Sequence, residues 1–314
     1  MYFKYFDSQH TTLEETCVTI GVFDGIHRGH TALLDATVNL SRQNGLKSIC
    51  VTFDPHPLSL LKPDISPKLI YPLEKRCELI KDCGIDEVLV IKFDTVMARQ
   101  SAQSFISNLL VDSLNVKAVV VGEDFKFGHN REGNLELLTQ WGEKLGFKVL
   151  GLPLITDVIK NRISSTKLRT LILNGKVSLA SELMGRYYSY KGKVVHGNKM
   201  GEKLGFPTAN IFVNEGLVLP KNGIYAGYCN INNKKYVTAV SIGSRPTIDD
   251  VETVSFEAYI VDFDNNIYGI DLEVFLIDRL RDEIKFDSLE ELVNQIKKDV
   301  EQTVQIVSKL NIWL

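Results

Sequence analysis

The stretch that decides the fold of the first half is CVTIGVFDGIHRGH, residues 17–30. It begins with β-branched residues, turns at two glycines, and ends in H-x-G-H, where a helix is predicted to begin. Further short apolar runs predict strands in residues 48–53, 87–93, 116–122 and 147–154. Between them, helical patterns occupy residues 30–45, 73–83, 101–114 and 134–145.

The predicted strands are continuous apolar runs, which is typical of a parallel sheet covered on both faces. Helix 73–83 has a matching apolar stripe at Leu73, Cys77 and Ile80. We therefore expect an α/β doubly wound parallel sheet, with ligands at the carboxyl ends of its strands near a topological switch point.

The second half has a β pattern. Residues 164–185 predict a helical connector, and a boundary near Arg186 gives domains 1–186 and 187–314. Strands are predicted within residues 187–197, 223–231, 234–243, 254–263 and 266–277, a spacing typical of a small antiparallel β-barrel. A terminal helix follows, with Ser288 and Glu291 as a capping box and one apolar face formed by Leu292, Ile296, Val300 and Val304.

Composition excludes several classes of protein. Of 314 residues, 24% are charged and 44% are hydrophobic, and this hydrophobic content is enough to form two globular cores. No apolar run approaches the roughly 18 residues of a membrane helix, and the N-terminus lacks the apolar core of a signal peptide, so we expect a cytoplasmic protein with no membrane partner. The net charge is −3 and neither half is strongly basic, so no nucleic-acid partner is expected.

The five cysteines are odd in number, lie in apolar contexts and form no C-x-x-C motif. We expect reduced, buried thiols and favour this over a metal or redox function.

His27 and His30 are the first candidate functional residues. Backbone N–H groups and the helix dipole favour an anion at a helix N-terminus, and the two imidazoles can donate hydrogen bonds to phosphate oxygens. Histidines with nothing bound are the alternative, and a metal pair lacks an obvious third ligand. The sequence contains neither G-x-G-x-x-G nor a Walker loop, so a nucleotide would be held otherwise.

The segment ISSTKLR, residues 163–169, is the second candidate. Ser164 or Ser165 alone would be explained as a helix N-cap. Together with Thr166 and Arg169, they form a plausible clamp for triphosphate oxygens.

These segments resemble the nucleotidylyltransferase superfamily, and G-x-F-D-G-x-H-x-G-H followed by I-S-S-T-x-x-R is close to the signature of its FMN adenylyltransferase branch. FDPHP at residues 53–57 and VGEDFKFG at residues 121–128 resemble that family's other strand-end motifs. One departure is Val22, where many members have Asn.

The resemblance implies that the FMN phosphate attacks the α-phosphorus of ATP and releases pyrophosphate, with no covalent enzyme intermediate. Charge neutralisation would come from Mg²⁺ and from the catalytic residues His27, His30 and Arg169. The implied ATP contacts are Gly21, Phe23, Asp24, Gly25, Gly29, Ser164, Ser165 and Thr166. The implied flavin contacts are Asp54, Pro55, His56, Asp124, Phe125 and Phe127.

In the second half, residues 192–210 are rich in glycine, which lets backbone approach a phosphate closely, although a glycine-rich turn without a ligand is the alternative. Thr208 and Asn210 lie two apart on a predicted strand, so both side chains point to one side and can share a hard cation.

This block is similar to the riboflavin kinase family, whose G-x-x-x-G-x-x-L-G-F-P-T-A-N run holds Mg²⁺ through its Thr and Asn, here Thr208 and Asn210. The family's catalytic carboxylate corresponds to Glu257, which would take the proton of the riboflavin 5′-hydroxyl; without the family, a cross-strand ion pair explains Glu257 better. Where many members have E-x-H, this chain has Tyr259. The implied nucleotide contacts are Gly197, Lys199, Gly201, Lys203 and Gly205, and the implied flavin contacts are Phe206 and Arg245.

Together the matches resemble the prokaryotic bifunctional riboflavin kinase/FAD synthetases. The implied small-molecule partners are riboflavin, FMN, FAD, ATP, ADP and pyrophosphate, and the oligomeric state is left open. Two alternatives remain at this point: an enzyme with one silent half, and a non-catalytic flavin-binding regulator.

Overall fold

The computed structural model describes residues 2–7, 11–156, 162–197, 200–246 and 252–310. These residues form two compact units, Met1–Ser165 and Thr166–Leu314. The predicted connector contains two helices, α7 (Ser165–Leu173) and α8 (Val177–Met184), and α8 packs on strands of the second unit. The boundary between the functional domains near Arg186 stays a prediction.

The first unit is built around a parallel sheet. Its strands are β1 (Lys4–Tyr5), β2 (Thr16–Ile20), β3 (Lys47–Asp54), β4 (Glu87–Lys92), β5 (Val116–Gly122) and β6 (Lys148–Leu152). Its helices are α1 (Arg28–Asn44), α2 (Pro57–Leu61), α3 (Leu73–Asp82), α4 (Thr95–Ala98), α5 (Ala102–Ser104) and α6 (Leu135–Leu145). Helix α5 continues as a π-helix over Phe105–Ser113, and short 3-10 turns lie at Pro63–Ile65 and His129–Arg131.

The strand order confirms the doubly wound sheet. The strands lie in the order β1-β4-β3-β2-β5-β6, and all adjacent pairs are parallel. From β2 the chain adds strands to one side through β3 and β4, and then to the other side through β5 and β6. The switch point therefore lies beside β2, whose carboxyl end leads directly into the H-x-G-H loop.

Side chains of β2 show why both faces of the sheet are covered. Val18 and Ile20 point into a core with the π-helix, and Cys17 points into the opposite one with Ala118. A further core lies between the sheet and α1 and α3, where Phe23, Leu34 and Ile80 are buried. The short strand β1, which pairs with β4, was not predicted, because two residues give no periodicity.

The second unit contains a closed antiparallel barrel, as predicted. Its strands are β7 (Tyr188–Val195), β8 (Thr208–Ile211), β9 (Gly223–Ile231), β10 (Lys234–Pro246), β11 (Glu252–Ile260) and β12 (Asp271–Arg281), closed in the order β10-β11-β8-β7-β12-β9. A one-turn helix α9 (Met200–Lys203) lies between β7 and β8, and α10 (Leu289–Ser308) packs against the outside of the barrel.

Helix α10 begins as predicted, but its most buried residues lie to one side of the predicted apolar face. The Ser288 hydroxyl accepts a hydrogen bond from the Glu291 N–H at 3.2 Å, whereas the Glu291 carboxylate accepts from Asp287. The buried residues are Asp299, Thr303 and Val307, and Val304 is 37% exposed. The predicted apolar face was therefore wrong at Val304.

A partly buried ion pair lies on this side of α10. Asp299 accepts hydrogen bonds from Arg281 of β12 at 2.9 and 2.6 Å and from Gln295 at 2.9 Å. The pair turns the Asp299 side of α10 toward the barrel, and apolar periodicity alone does not reveal it.

No helix in the described residues is long and apolar enough to cross a membrane. All five cysteines are free, and four of them are buried. Burial raises the pKa of Cys17 and Cys77 to about 12 and that of Cys229 to about 11, so these thiols stay protonated.

We expect Asp299→Ala to lower the free energy of unfolding of the second unit by about 3 kcal/mol, because it leaves the Arg281 guanidinium without its partner. Calorimetry of the full chain measures this change. Asp271→Ala is the control: Asp271 pairs with Lys193 at 3.7 Å on the surface, and its loss is expected to cost less than about 1 kcal/mol. Equal effects of the two substitutions would contradict the ion-pair explanation.

Candidate active sites

The loop between β2 and α1 has an unusual backbone. Phe23, Gly25 and Ile26 have φ angles of 54°, 81° and 38°, in the left-handed region that residues with a side chain rarely adopt. The side chains of Phe23 and Ile26 are each only 1% exposed. Burial of these two side chains in the hydrophobic core stabilises a left-handed backbone that is unfavourable in an exposed loop.

Asp24 connects this loop to two other segments. Its buried carboxylate accepts hydrogen bonds from the backbone N–H of Ile70 at 3.0 Å and of Tyr71 at 3.2 Å. Its backbone carbonyl accepts from the Ser165 hydroxyl at 2.8 Å. Asp24 therefore fixes the loop to the chain before α3 and to the start of α7.

His27 and His30 lie side by side at the N-terminus of α1. Their rings stack with centroids 3.7 Å apart and planes 15° apart, and the edge of Phe23 meets His30 at 5.2 Å. The Nδ1 atom of His27 accepts a hydrogen bond from the His30 backbone N–H at 3.3 Å. Because this Nδ1 is an acceptor, the proton of a neutral His27 ring is on Nε2.

Gly29 lets the imidazoles pack against the helix. A Cβ atom at this position would lie 3.1 Å from two atoms of the His27 ring. Similarly, a Cβ on Gly21 would lie 3.1 Å from the Phe23 ring. These two glycines of the motif thus have a packing role, whatever they contact in a ligand.

The end of β3 places Asp54, Pro55 and His56 at the same edge of the sheet. The Nδ1 of His56 caps α2 by accepting from the Leu58 N–H at 3.1 Å. Burial raises the pKa of Asp54, and the nearby Arg76 guanidinium opposes this shift. Arg76 itself donates to the Phe53 carbonyl at 2.9 Å.

The end of β5 carries the other predicted flavin contacts. Phe125 and Phe127 stack with centroids 5.3 Å apart; Phe127 is in the hydrophobic core, and Phe125 is partly buried at its edge. Asp124 forms a close ion pair with Arg162. Arg162 was not predicted as a site residue, although the sequence shows this cation one residue before the ISST segment.

The ISST segment is divided between the two units. Ser164 and Ser165 are partly buried in the first unit, whereas Thr166 and Arg169 belong to the second, where Thr166 is exposed and Arg169 partly buried. The contribution of Thr166 and Arg169 to a phosphate site therefore stays a prediction.

In the barrel, Thr208 and Glu257 are in direct contact. The Thr208 hydroxyl donates to the Glu257 carboxylate at 3.0 Å. The register of β8 and β11 pairs Asn210 with Glu257 and Thr208 with Tyr259. Because Phe256 and Ala258 are buried and alternate with Glu257 and Tyr259, the latter two face away from the barrel core.

The glycine-rich segment before β8 packs closely on these residues. A Cβ on Gly197 would lie 2.3 Å from the Asn210 amide nitrogen, and one on Gly201 would lie 2.4 Å from the Phe206 carbonyl oxygen. The Phe206 ring meets the Tyr259 ring edge-on at 5.3 Å. Gly205 has a φ of 82°, and Lys203 is exposed. Lys199 and the side chain of Arg245 lie outside the described residues.

Both halves of the chain match known protein families. Residues 9–167 match the family model for FAD synthetase, and residues 184–307 match that for riboflavin kinase. Among the curated relatives, the bifunctional riboflavin kinase/FMN adenylyltransferase of Escherichia coli K12 is 38% identical over 288 residues, covering 91% of both chains. That of Listeria monocytogenes is 37% identical over 296 residues, covering 93% of both.

This chain belongs to the bifunctional riboflavin kinase/FMN adenylyltransferase family. The first unit thus carries the FAD synthetase domain and the second the riboflavin kinase domain. A crystal structure described as a macrolide-efflux protein from Streptococcus pneumoniae has the same overall fold. It matches with a TM-score of 0.89 and 33% identity, covering 96% of this chain and 99% of that one.

The close packing at Gly29 gives a testable prediction. We expect Gly29→Ala to push the His27 ring by a few tenths of an ångström and to slow FAD formation from FMN by about tenfold, since small displacements of catalytic groups reduce rates strongly. Riboflavin phosphorylation by the same protein sample is the internal control and is expected to stay unchanged. An unchanged rate of FAD formation would contradict the assigned role of the ring position.

Proposed function

We propose that this family member performs both reactions of flavin cofactor synthesis with the residues described above. In the second unit, ATP phosphorylates the 5′-hydroxyl of riboflavin to give FMN and ADP. In the first unit, the FMN phosphate attacks the α-phosphorus of ATP to give FAD and pyrophosphate. The observation that carries the proposal is that each unit groups polar residues suited to its own reaction: stacked imidazoles at a helix N-terminus, and a Thr208–Glu257 pair.

For adenylyl transfer, the chain supplies charge stabilisation rather than a base, because the attacking phosphate is already an anion. His27 donates through Nε2, because its Nδ1 accepts the His30 backbone N–H as the N-cap of α1. His30, stacked on it, donates alongside the N–H groups at the helix N-terminus. We assign a further ATP contact to Ser164, which belongs to the same unit, and the contacts of Thr166 and Arg169 stay predictions from the sequence.

For phosphorylation, the chain supplies a base. The Glu257 carboxylate accepts the proton of the riboflavin hydroxyl as that oxygen attacks the γ-phosphorus. The Thr208 hydroxyl, which donates to Glu257, fixes the orientation of the carboxylate.

The oxygen donors of Thr208 and Asn210, with Glu257 beside them, fit a hard cation such as Mg²⁺. We infer that Thr208 and Asn210 hold this ion, which would neutralise charge on the phosphates of bound ATP.

Two positions, Val22 and Tyr259, differ from the residues of many family members. The Val22 carbonyl accepts a hydrogen bond from the Thr52 hydroxyl at 3.1 Å, and the Tyr259 ring packs on Phe206. Neither arrangement removes an imidazole or the carboxylate, which supports activity in both units.

Both reactions consume ATP, so we also infer a cytoplasmic location. No nucleic-acid or membrane partner is expected, which remains a prediction from the charge and apolar pattern of the chain, and the oligomeric state is left open.

A histidine variant tests the first unit. His27→Asn keeps an N-cap residue of high preference but removes the imidazole, so the helix should persist while FAD formation from FMN falls about 100-fold. Steady-state rates with FMN and Mg-ATP measure this effect, and circular dichroism checks the fold. A variant that makes FAD at the wild-type rate would refute the assignment of His27.

A carboxylate variant tests the second unit. Glu257→Gln keeps the size of the side chain and loses the base, so riboflavin phosphorylation should fall by about 10²- to 10⁴-fold while FAD formation from FMN continues. Chromatography of the flavins follows both products. Full kinase turnover in this variant would exclude Glu257 as the base.

A further inference from the structure

Among the residues that the structure describes, Arg76 is the largest fully buried side chain, with an exposure of 1%. It lies on α3 in the stripe formed by Leu73, Cys77 and Ile80, which faces the sheet. An arginine at such a position is uncommon, because a cation buried without a partner costs several kcal/mol.

The hydrogen bonds of Arg76 satisfy only part of its guanidinium. Nη2 donates to the Phe53 carbonyl at 2.9 Å. Nε and Nη1 are buried and have no hydrogen-bond partner among the residues that the structure describes. The neighbouring thiols of Cys50 and Cys77 have raised pKa values and stay neutral, so they do not compensate its charge. An apolar side chain of similar volume would therefore suit the fold at least as well.

The contacts of Arg76 point to the end of β3 instead. Phe53, whose carbonyl it holds, immediately precedes Asp54, Pro55 and His56. The adjacent Asp54 carbonyl accepts a hydrogen bond from the Phe93 N–H at 2.9 Å. The positive charge of Arg76 also favours the ionised form of Asp54, which burial disfavours. As a carboxylate, Asp54 accepts hydrogen bonds from N–H and O–H groups. The flavin ring carries an N–H group, and its ribityl chain carries hydroxyl groups.

We propose that Arg76 is a positioning residue for the flavin side of the adenylyl-transfer site. It does not touch the substrate. It holds the Phe53 carbonyl, and with it the orientation of the Asp54-Pro55-His56 segment. This inference rests on the proposed function of the first unit and on the assignment of that segment to flavin binding.

The test separates flavin binding from stability. We expect Arg76→Met to raise the KM for FMN in FAD formation by about tenfold, with kcat within about twofold of wild type. The melting temperature should be equal or higher, because a buried charge has been replaced by an apolar side chain. Riboflavin phosphorylation by the same sample should not change. Arg76→Lys, which keeps a cation near Asp54, should restore part of the loss.

Lys81→Met is the matched control, because it also removes a cation from α3. The Lys81 amine donates to the Asp86 carbonyl and not to the end of β3. This substitution should leave the KM for FMN unchanged. An unchanged KM for Arg76→Met, or a lower melting temperature and insoluble protein for both Arg76 variants, would overturn the proposal. If wild-type protein makes no FAD from FMN, the proposed function itself fails, and this inference fails with it. FAD formation by wild type with an unchanged KM in Arg76→Met refutes the inference alone.

Discussion

The proposed adenylyl-transfer site depends on the buried residue Asp24. Three segments that are far apart in sequence meet at this residue: the loop after β2, the chain at Ile70 and Tyr71, and the start of α7 at Ser165. The loop itself has left-handed backbone at residues with large side chains, which would be unfavourable without these anchors. The stacked imidazoles of His27 and His30 keep their place at the helix N-terminus because the loop before them is held in this way.

In both proposed reactions an oxygen nucleophile attacks a phosphorus atom of ATP. In the first unit the nucleophile is already an anion, whereas in the second it is a hydroxyl that must lose its proton. The site proposed for the first unit is a helix N-terminus at the switch point of a parallel sheet, where backbone N–H groups favour phosphate. The site proposed for the second lies on two paired antiparallel strands, in which the register of β8 and β11 places Asn210 opposite Glu257. We therefore expect activity at the first site to depend on the packing of the loop after β2, and activity at the second to depend on the register of β8 and β11.

Much of this organisation could be predicted from the sequence. The continuous apolar runs predicted the parallel strands, because a strand buried on both faces has no polar alternation. The motifs of the first half follow strands in the sequence, and in a parallel sheet the carboxyl ends of the strands lie at one edge. Features set by tertiary contacts could not be predicted. The face that α10 buries is determined by the Arg281–Asp299 pair, and the burial of Arg76 within an apolar stripe is invisible to periodicity. Arg162 escaped notice because its partner, Asp124, is 38 residues away in the chain.

Two consecutive activities on one chain are tested most directly by a time course with pure wild-type protein, riboflavin and excess Mg-ATP, with the flavins separated by chromatography. We expect FMN to appear first and then to be converted to FAD, and a parallel reaction begun from FMN to give FAD without a delay. Accumulation of FMN without FAD, or FAD from FMN but no product from riboflavin, would contradict the claim for one unit. Flavin that binds and is never converted would contradict it for both.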